Sequence, residues 1–179
     1  TLDIHFQCLN IERQQRDTAW TTATLNNIGL VYYKLKDYDK ALGYFKKTIG
    51  LKKSIGNMHD LDITFINAGL SYAYLKDFAN AELSIEEGLS TCGDECSDYT
   101  KLMADFALGV TYHGSNQLGK SEYHFLRSYQ LARDIGEVRL QLDDIDYLSQ
   151  ISIEQGQLDK AIHHLNRAEE LIDAGSVYY

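Results

Sequence analysis

Between Thr22 and Leu51 the chain carries a pattern that returns every 40 residues, and this period constrains the fold more than any other feature. Gly29 is followed by Gly69 and Gly109, and Ser149 continues the series. Tyr32, Tyr72 and Tyr112 share a second column, and Ala41, Ala81, Ser121 and Ala161 a third. Phe45, Ile85, Phe125 and Leu165 form a fourth, and Thr48, Gly88, Ser128 and Ala168 a fifth. Such self-similarity marks stacked supersecondary units, each too small to bury its apolar face alone. Two helices approach closely only where side chains are small, and large apolar groups then fill the space on either side. The columns therefore predict helix crossings at Gly29 and Ala41, filled by Tyr32 and Phe45.

This order of small, aromatic and small residues resembles the tetratricopeptide repeat, most closely through Thr22–Leu51 and Ile63–Gly88 and more loosely over the rest of the chain. The resemblance implies an all-α fold, a right-handed superhelical solenoid of antiparallel helix pairs. In that frame residues 1–16 are the second helix of a truncated repeat, and residues 18–57, 58–97, 98–137 and 138–175 are four repeats. Residues 176–179 begin a further helix. The run Leu25-Asn26-Asn27-Ile28 also resembles the repeats of kinesin light chains and of bacterial peptide-sensing regulators.

Local signals place the helix ends. Asp37 and Asp77, one period apart, are expected N-caps, because a short carboxylate accepts from the free amides of the next turn. Gly56-Asn57, Gly93-Asp94 and Gly136-Glu137 are expected to stop the second helices, since glycine takes left-handed backbone cheaply. The chain has no proline to do this. The predicted helices run near 18–35, 38–55, 59–75, 78–92, 97–115, 118–135, 141–155 and 158–173. One position conflicts with the pattern: Asp105 stands in the column of Leu25, Phe65 and Ile145. A local rotation that exposes Asp105 and buries Phe106 or Leu102 is the expectation, and a hydrogen-bonded core aspartate is the rival.

Composition narrows the function. A formal charge of −9, from 26 acidic and 17 basic residues, argues against a nucleic-acid partner, which requires clustered Lys and Arg. The nearest cluster, Lys46, Lys47, Lys52 and Lys53, is expected mostly on a solvated outer helix face. No apolar run is long enough for membrane insertion by this segment. The compartment is left open, with the cytoplasm slightly favoured. Cys92 and Cys96 are expected as free thiols ahead of a local disulfide, and a metal comes third because no second ligand pair lies near. His163 and His164 point apart on one helix, and His124 and His59 lack a third ligand, so each is expected at the surface. No phosphate loop, nucleophile elbow or paired-carboxylate motif occurs, so no enzyme activity and no cofactor are expected.

By resemblance, the first helices of successive repeats line a concave groove that receives a protein or peptide. Asn27 and Asn67 fall where peptide-binding relatives carry an amide that grips a ligand's main chain. An equal reading has them capping or bridging neighbouring helices. Helical spacing adds Asn26, Leu30, Tyr33, Ile63, Ile66, Leu70 and Tyr74, then Phe106, Val110 and His113, and last Asp143, Asp146 and Glu154. This predicts a groove that is apolar and aromatic over three repeats and acidic at its end, suited to a hydrophobic or basic amphipathic peptide or helix. The clamp that some relatives use for acidic tails is missing, since Asn26, Leu30, Met103 and Ala107 occupy its places. The expected role is a non-catalytic scaffold, the sensory or assembly module of a larger bacterial signal-transduction protein. The alternatives are a structural element that forms homo-oligomers through its truncated ends, or the regulatory array of a phosphatase- or kinase-type regulator whose catalytic part lies elsewhere.

Overall fold

The computed structural model describes residues 2–7 and 18–176, and every regular element among them is helical. Helix α1 covers residues 2–7, followed by α2 (Thr18–Lys34), α3 (Tyr38–Ser54), α4 (Leu61–Tyr74) and α5 (Phe78–Cys92). A 3-10 turn (Gly93–Glu95) leads to α6 (Asp98–Gly114), α7 (Leu118–Ile135), α8 (Val138–Glu154) and α9 (Leu158–Ser176). The chain divides into two compact units, one ending at Cys96 and one beginning at Ser97. In the first, α2 packs on α3, α3 on α4 and α4 on α5; in the second, α6, α7, α8 and α9 pack in the same sequential way. The expected readings of residues 8–16 and 177–179 lie outside the described residues.

The column positions do what their sizes suggest. A Cβ on Gly29 would lie 2.7 Å from the ring of Phe45, and one on Gly109 would lie 2.8 Å from the ring of Phe125, so each ring presses directly on backbone. Phe45, Ile85 and Phe125 are fully buried. Phe45 packs with Ala68 of the following first helix, and Phe125 stacks on Tyr147 of α8 at 4.5 Å. Leu165, expected to repeat this role, is instead 52% exposed, because no following first helix covers it among the described residues. Hydroxyls on the second helices satisfy backbone oxygens of the first: Ser84 donates to the Phe65 carbonyl and Ser121 to that of Gly109, each at 2.8 Å. In α8, Ser149 and Ser152 replace the usual glycine and tyrosine, and each returns its hydroxyl to the carbonyl four residues back.

The caps form as read. Asp37 accepts from the Lys40 amide and Asp77 from the Asn80 amide. Glycines 56, 93 and 136 all have positive φ. The turns inside the repeats hold a feature the sequence reading missed. Lys36, Lys76, Asn116 and Gly156, again 40 residues apart, all adopt left-handed backbone, with φ of 60°, 63°, 60° and 72°. Asn116 and Gly156 suit this region; the two lysines carry the strain of a Cβ there. Lys36→Gly and Lys76→Gly should therefore each raise stability by up to about 1 kcal/mol, readable as a higher midpoint in urea titrations followed by circular dichroism.

Three expectations are corrected. Asp105 is buried, 4% exposed, in its original column, with Leu102 and Phe106 buried as well. No rotation occurs, because the carboxylate has partners: His124 Nδ1 at 2.8 Å and the Arg127 guanidinium at 3.3 Å, both from α7. His124 is thus drawn inward rather than left at the surface. Asp105→Leu would leave both partners without their carboxylate and should lower stability by about 1–3 kcal/mol, where a merely tolerated polar residue would give a gain. Second, Cys92 and Cys96 are joined in a disulfide that closes the end of α5. Third, Lys52 turns in from α3, where burial holds its ammonium below the usual lysine range, and it donates to the His59 carbonyl.

A second buried carboxylate lies in the same unit. Asp144 of α8 is fully buried, and its Oδ2 accepts from the Ser128 hydroxyl at 2.9 Å while Oδ1 has no partner. Burial, with smaller contributions from Asp143 and Asp105 and opposed by the Ser128 bond, pushes its pKa up to about 8. Trp20, the chain's one tryptophan, lies at the start of α2 and is 67% exposed.

Candidate functional site

First helices carry the candidate residues, and each unit presents its own set. In the first unit the structure sorts them into surface and core. Asn27 is exposed, and Asn26, Leu30, Tyr33, Ile63, Asn67 and Tyr74 are half-buried. Ile66 and Leu70 are sealed in the core, so they support the face without forming it. The side chains of Asn27 and Asn67 make no hydrogen bond among the described residues, which leaves the capping or bridging reading without a contact to rest on.

Further along the same two helices lies a tyrosine cluster. Tyr38, from the start of α3, stacks on Tyr74 at 4.5 Å, and Tyr33 meets Tyr38 at 5.5 Å and Tyr74 at 5.9 Å. Burial, then the nearness of Tyr74, raises the Tyr38 phenol above its ordinary range. Tyr38 was missed as a site residue, although its place at the corner between helices, kept by Phe78 one period on, was the available signal. Half-buried rings joined edge and face give a rigid apolar wall with polar tips, a surface that costs little entropy when a partner covers it.

A polar pocket of about 310 Å³ opens at the other end of α2. Asn26 and Asn27 line it together with Lys52, Asn57, His59 and Asp60, residues that helical spacing on α2 alone could not supply. Asp60 has φ of 51°, and its carboxylate meets His59 Nδ1 at 2.7 Å. The pocket therefore offers both donors and acceptors, the combination that a peptide amide group requires.

The second unit departs further from expectation. Phe106 and Val110 are buried, and Phe106 meets Phe125 and Tyr147 edge-on at 5.7 Å and 5.9 Å. Tyr147 occupies the column of Asn27 and Asn67, so a ring stands where the first unit has an amide. His113 packs against Tyr147 at 5.6 Å and pairs with Glu154 at 3.2 Å. Asp143 lies 3.7 Å from Arg139, and burial raises its pKa above the ordinary carboxylate range. Asp146 is exposed and accepts from Gln150. Asp143, Asp146 and Glu154 all lie on α8, but two of the three carboxylates already have cationic or ionisable neighbours, which tempers their field.

Among the described residues there is no group of three or more metal-ligating side chains, and no helix is long and apolar enough to cross a membrane. His164, expected at the surface, is half-buried; burial first, then Lys160 and His163, keeps its pKa low, and Nε2 has no partner.

Comparison with known proteins bears on one repeat and on the fold. Residues 22–54 match the model of the tetratricopeptide repeat. No curated protein matches the chain. Among solved structures, BtubC (BKLC) from P. vanneervenii is similar over 99% of this chain and 74% of that one, with 18% identity and a TM-score of 0.76. A putative kinesin light chain of Podosopora anserina, with nearly identical TPR-like repeats, is 11% identical over 97% of this chain and 86% of that one, with a TM-score of 0.65. MamA from Desulfovibrio magneticus RS-1 is 16% identical over 96% of this chain and 93% of that one, with a TM-score of 0.62. At these identities the likeness speaks for the fold alone.

Proposed function

The chain is a tetratricopeptide-like helical array whose residues 22–54 belong to that repeat family, and from this premise we propose that it is a non-catalytic scaffold that binds a protein segment on its first-helix faces. The fold itself suits protein–protein interaction. The observation that carries the finer reading is the pair of unengaged amides, Asn27 and Asn67, on the two helices that also present Tyr33 and Tyr74 to the cluster with Tyr38. An extended or helical peptide would give its main chain to the amides and its apolar side chains to the rings. On the second unit's own first-helix face, Asp146 and Glu154 favour a basic segment. In this reading the chain is the sensory or assembly module of a larger signal-transduction protein.

A peptide array tests this directly. Hydrophobic peptides with basic ends should bind, and the Asn27→Ala, Asn67→Ala double variant should weaken them by about tenfold or more, in line with two lost polar contacts at roughly 1 kcal/mol each. Selective capture of acidic tails would overturn the reading.

The disulfide bears on compartment. A bridge between Cys92 and Cys96 persists in oxidising surroundings and is rare where thiols are kept reduced. Thiol titration of unfolded protein without reductant should find one reactive group, Cys8, of the three cysteines.

A further inference from the structure

The second-helix face of the first unit has the opposite character from the first-helix face. Between residues 34 and 53 the chain carries seven lysines against two aspartates, although the protein as a whole has a charge of −9. Lys52 turns inward, and Lys46, Lys47 and Lys53 stay out on α3. A groove of about 360 Å³ runs between α3 and α5, with α4 as its floor. Ile49, Phe65 and Tyr72 supply apolar floor and walls, and Leu83, 58% exposed, stands at the α5 rim.

The lysines at this groove are placed rather than loose. Lys46 Nζ sits 4.9 Å over the Tyr72 ring, and Lys53 Nζ sits 4.6 Å over that of Phe65. Rings hold the ammonium groups at the mouth of an apolar trough without neutralising them. Lys46 makes no ion pair among the described residues, and Lys53 has only Glu87, at 3.4 Å between two exposed groups. Gly50 lines the same groove in mid-helix, and a Cβ there would meet nothing within 4 Å. Glycine inside a helix costs about 1 kcal/mol relative to alanine. Nothing in the described structure needs it, and it leaves the backbone open to close approach from outside.

From these observations we propose that the α3–α5 groove docks an acidic amphipathic segment of another protein, which lays its apolar residues on Ile49 and Leu83 and its carboxylates on Lys46 and Lys53. Charge complementarity selects this occupant: fixed cations ring an apolar floor on an otherwise acidic chain. A phosphate backbone would use the lysines but leave the floor empty. The site is separate from the first-helix face, so one chain would bridge two partners of opposite charge.

The test is isothermal titration of the chain with a peptide of alternating leucine and glutamate pairs, with the same peptide carrying glutamine for glutamate, and with a single-stranded oligonucleotide. The acidic peptide should bind, the glutamine peptide should bind on the order of tenfold less tightly, and salt should weaken the former. Lys46→Glu with Lys53→Glu should abolish binding. Gly50→Leu should also block it while leaving the melting temperature equal or higher, which separates a plugged groove from a damaged fold. Asn27→Ala with Asn67→Ala should leave this binding intact even if the first-helix reading fails. Equal binding of the glutamic and glutamine peptides, binding of the oligonucleotide alone, or self-association of the chain that Gly50→Leu removes would each overturn the proposal.

Discussion

Truncating Phe125 to alanine should lower the unfolding free energy by about 3–5 kcal/mol, the range for emptying a sealed aromatic site. The ring is fully buried, stacks on Tyr147 and presses on the backbone of Gly109. Its tie to glycine makes a sharper expectation than the loss alone. Gly109→Ala in the parent chain should cost about 1–3 kcal/mol, because the new Cβ would need space the ring already fills. In a Phe125→Ala background the same change should be neutral or gain up to about 1 kcal/mol from helix propensity. Denaturant titrations of the four proteins close the cycle, and additive effects would show that ring and glycine are not coupled.

Asp144 should make stability fall as pH rises. Its folded pKa of about 8 lies above the ordinary aspartate value of 3.8, so between these values the folded state holds a proton that the unfolded chain has released. Unfolding is then favoured with each step up in pH, and the full stability is present only below the unfolded value. The loss approaches about 1.4 kcal/mol per pH unit across that window, on the order of 5 kcal/mol in total at its upper end. Asp144→Asn should flatten the dependence between pH 5 and pH 8 and be more stable than the parent at the alkaline end. Asp144→Thr should do the same, since Thr64 in this column returns its hydroxyl to the carbonyl of Asp60 four residues back. Parallel slopes for parent and variants would show that Asp144 is ionised in the folded chain.

The fold was legible because its determinants are periodic. Gly29 with Phe45 and Gly109 with Phe125 are size pairs, and a 40-residue ruler finds both members. The candidate face was legible only in part. A first helix is packed on more than one side, so spacing alone does not separate Leu30, which stays at the surface, from Leu70, which is sealed. Asp105 looked misplaced because its partners sit 19 and 22 residues further on, at His124 and Arg127, which follow each other at one-turn spacing on α7. The strained lysines could have been found: Asn116 and Gly156 in their column announce a left-handed position.

The placing of Trp20 has a practical result for anyone following this chain by fluorescence. The single indole belongs to the first unit, and the second has none. Neighbour-coupled arrays can lose their segments unevenly. Tryptophan emission would then report the melting of the first unit and stay silent about the loss of α6 to α9, while far-ultraviolet circular dichroism would sum both. A gap between the two traces would thus be a measure of how independently the halves come apart.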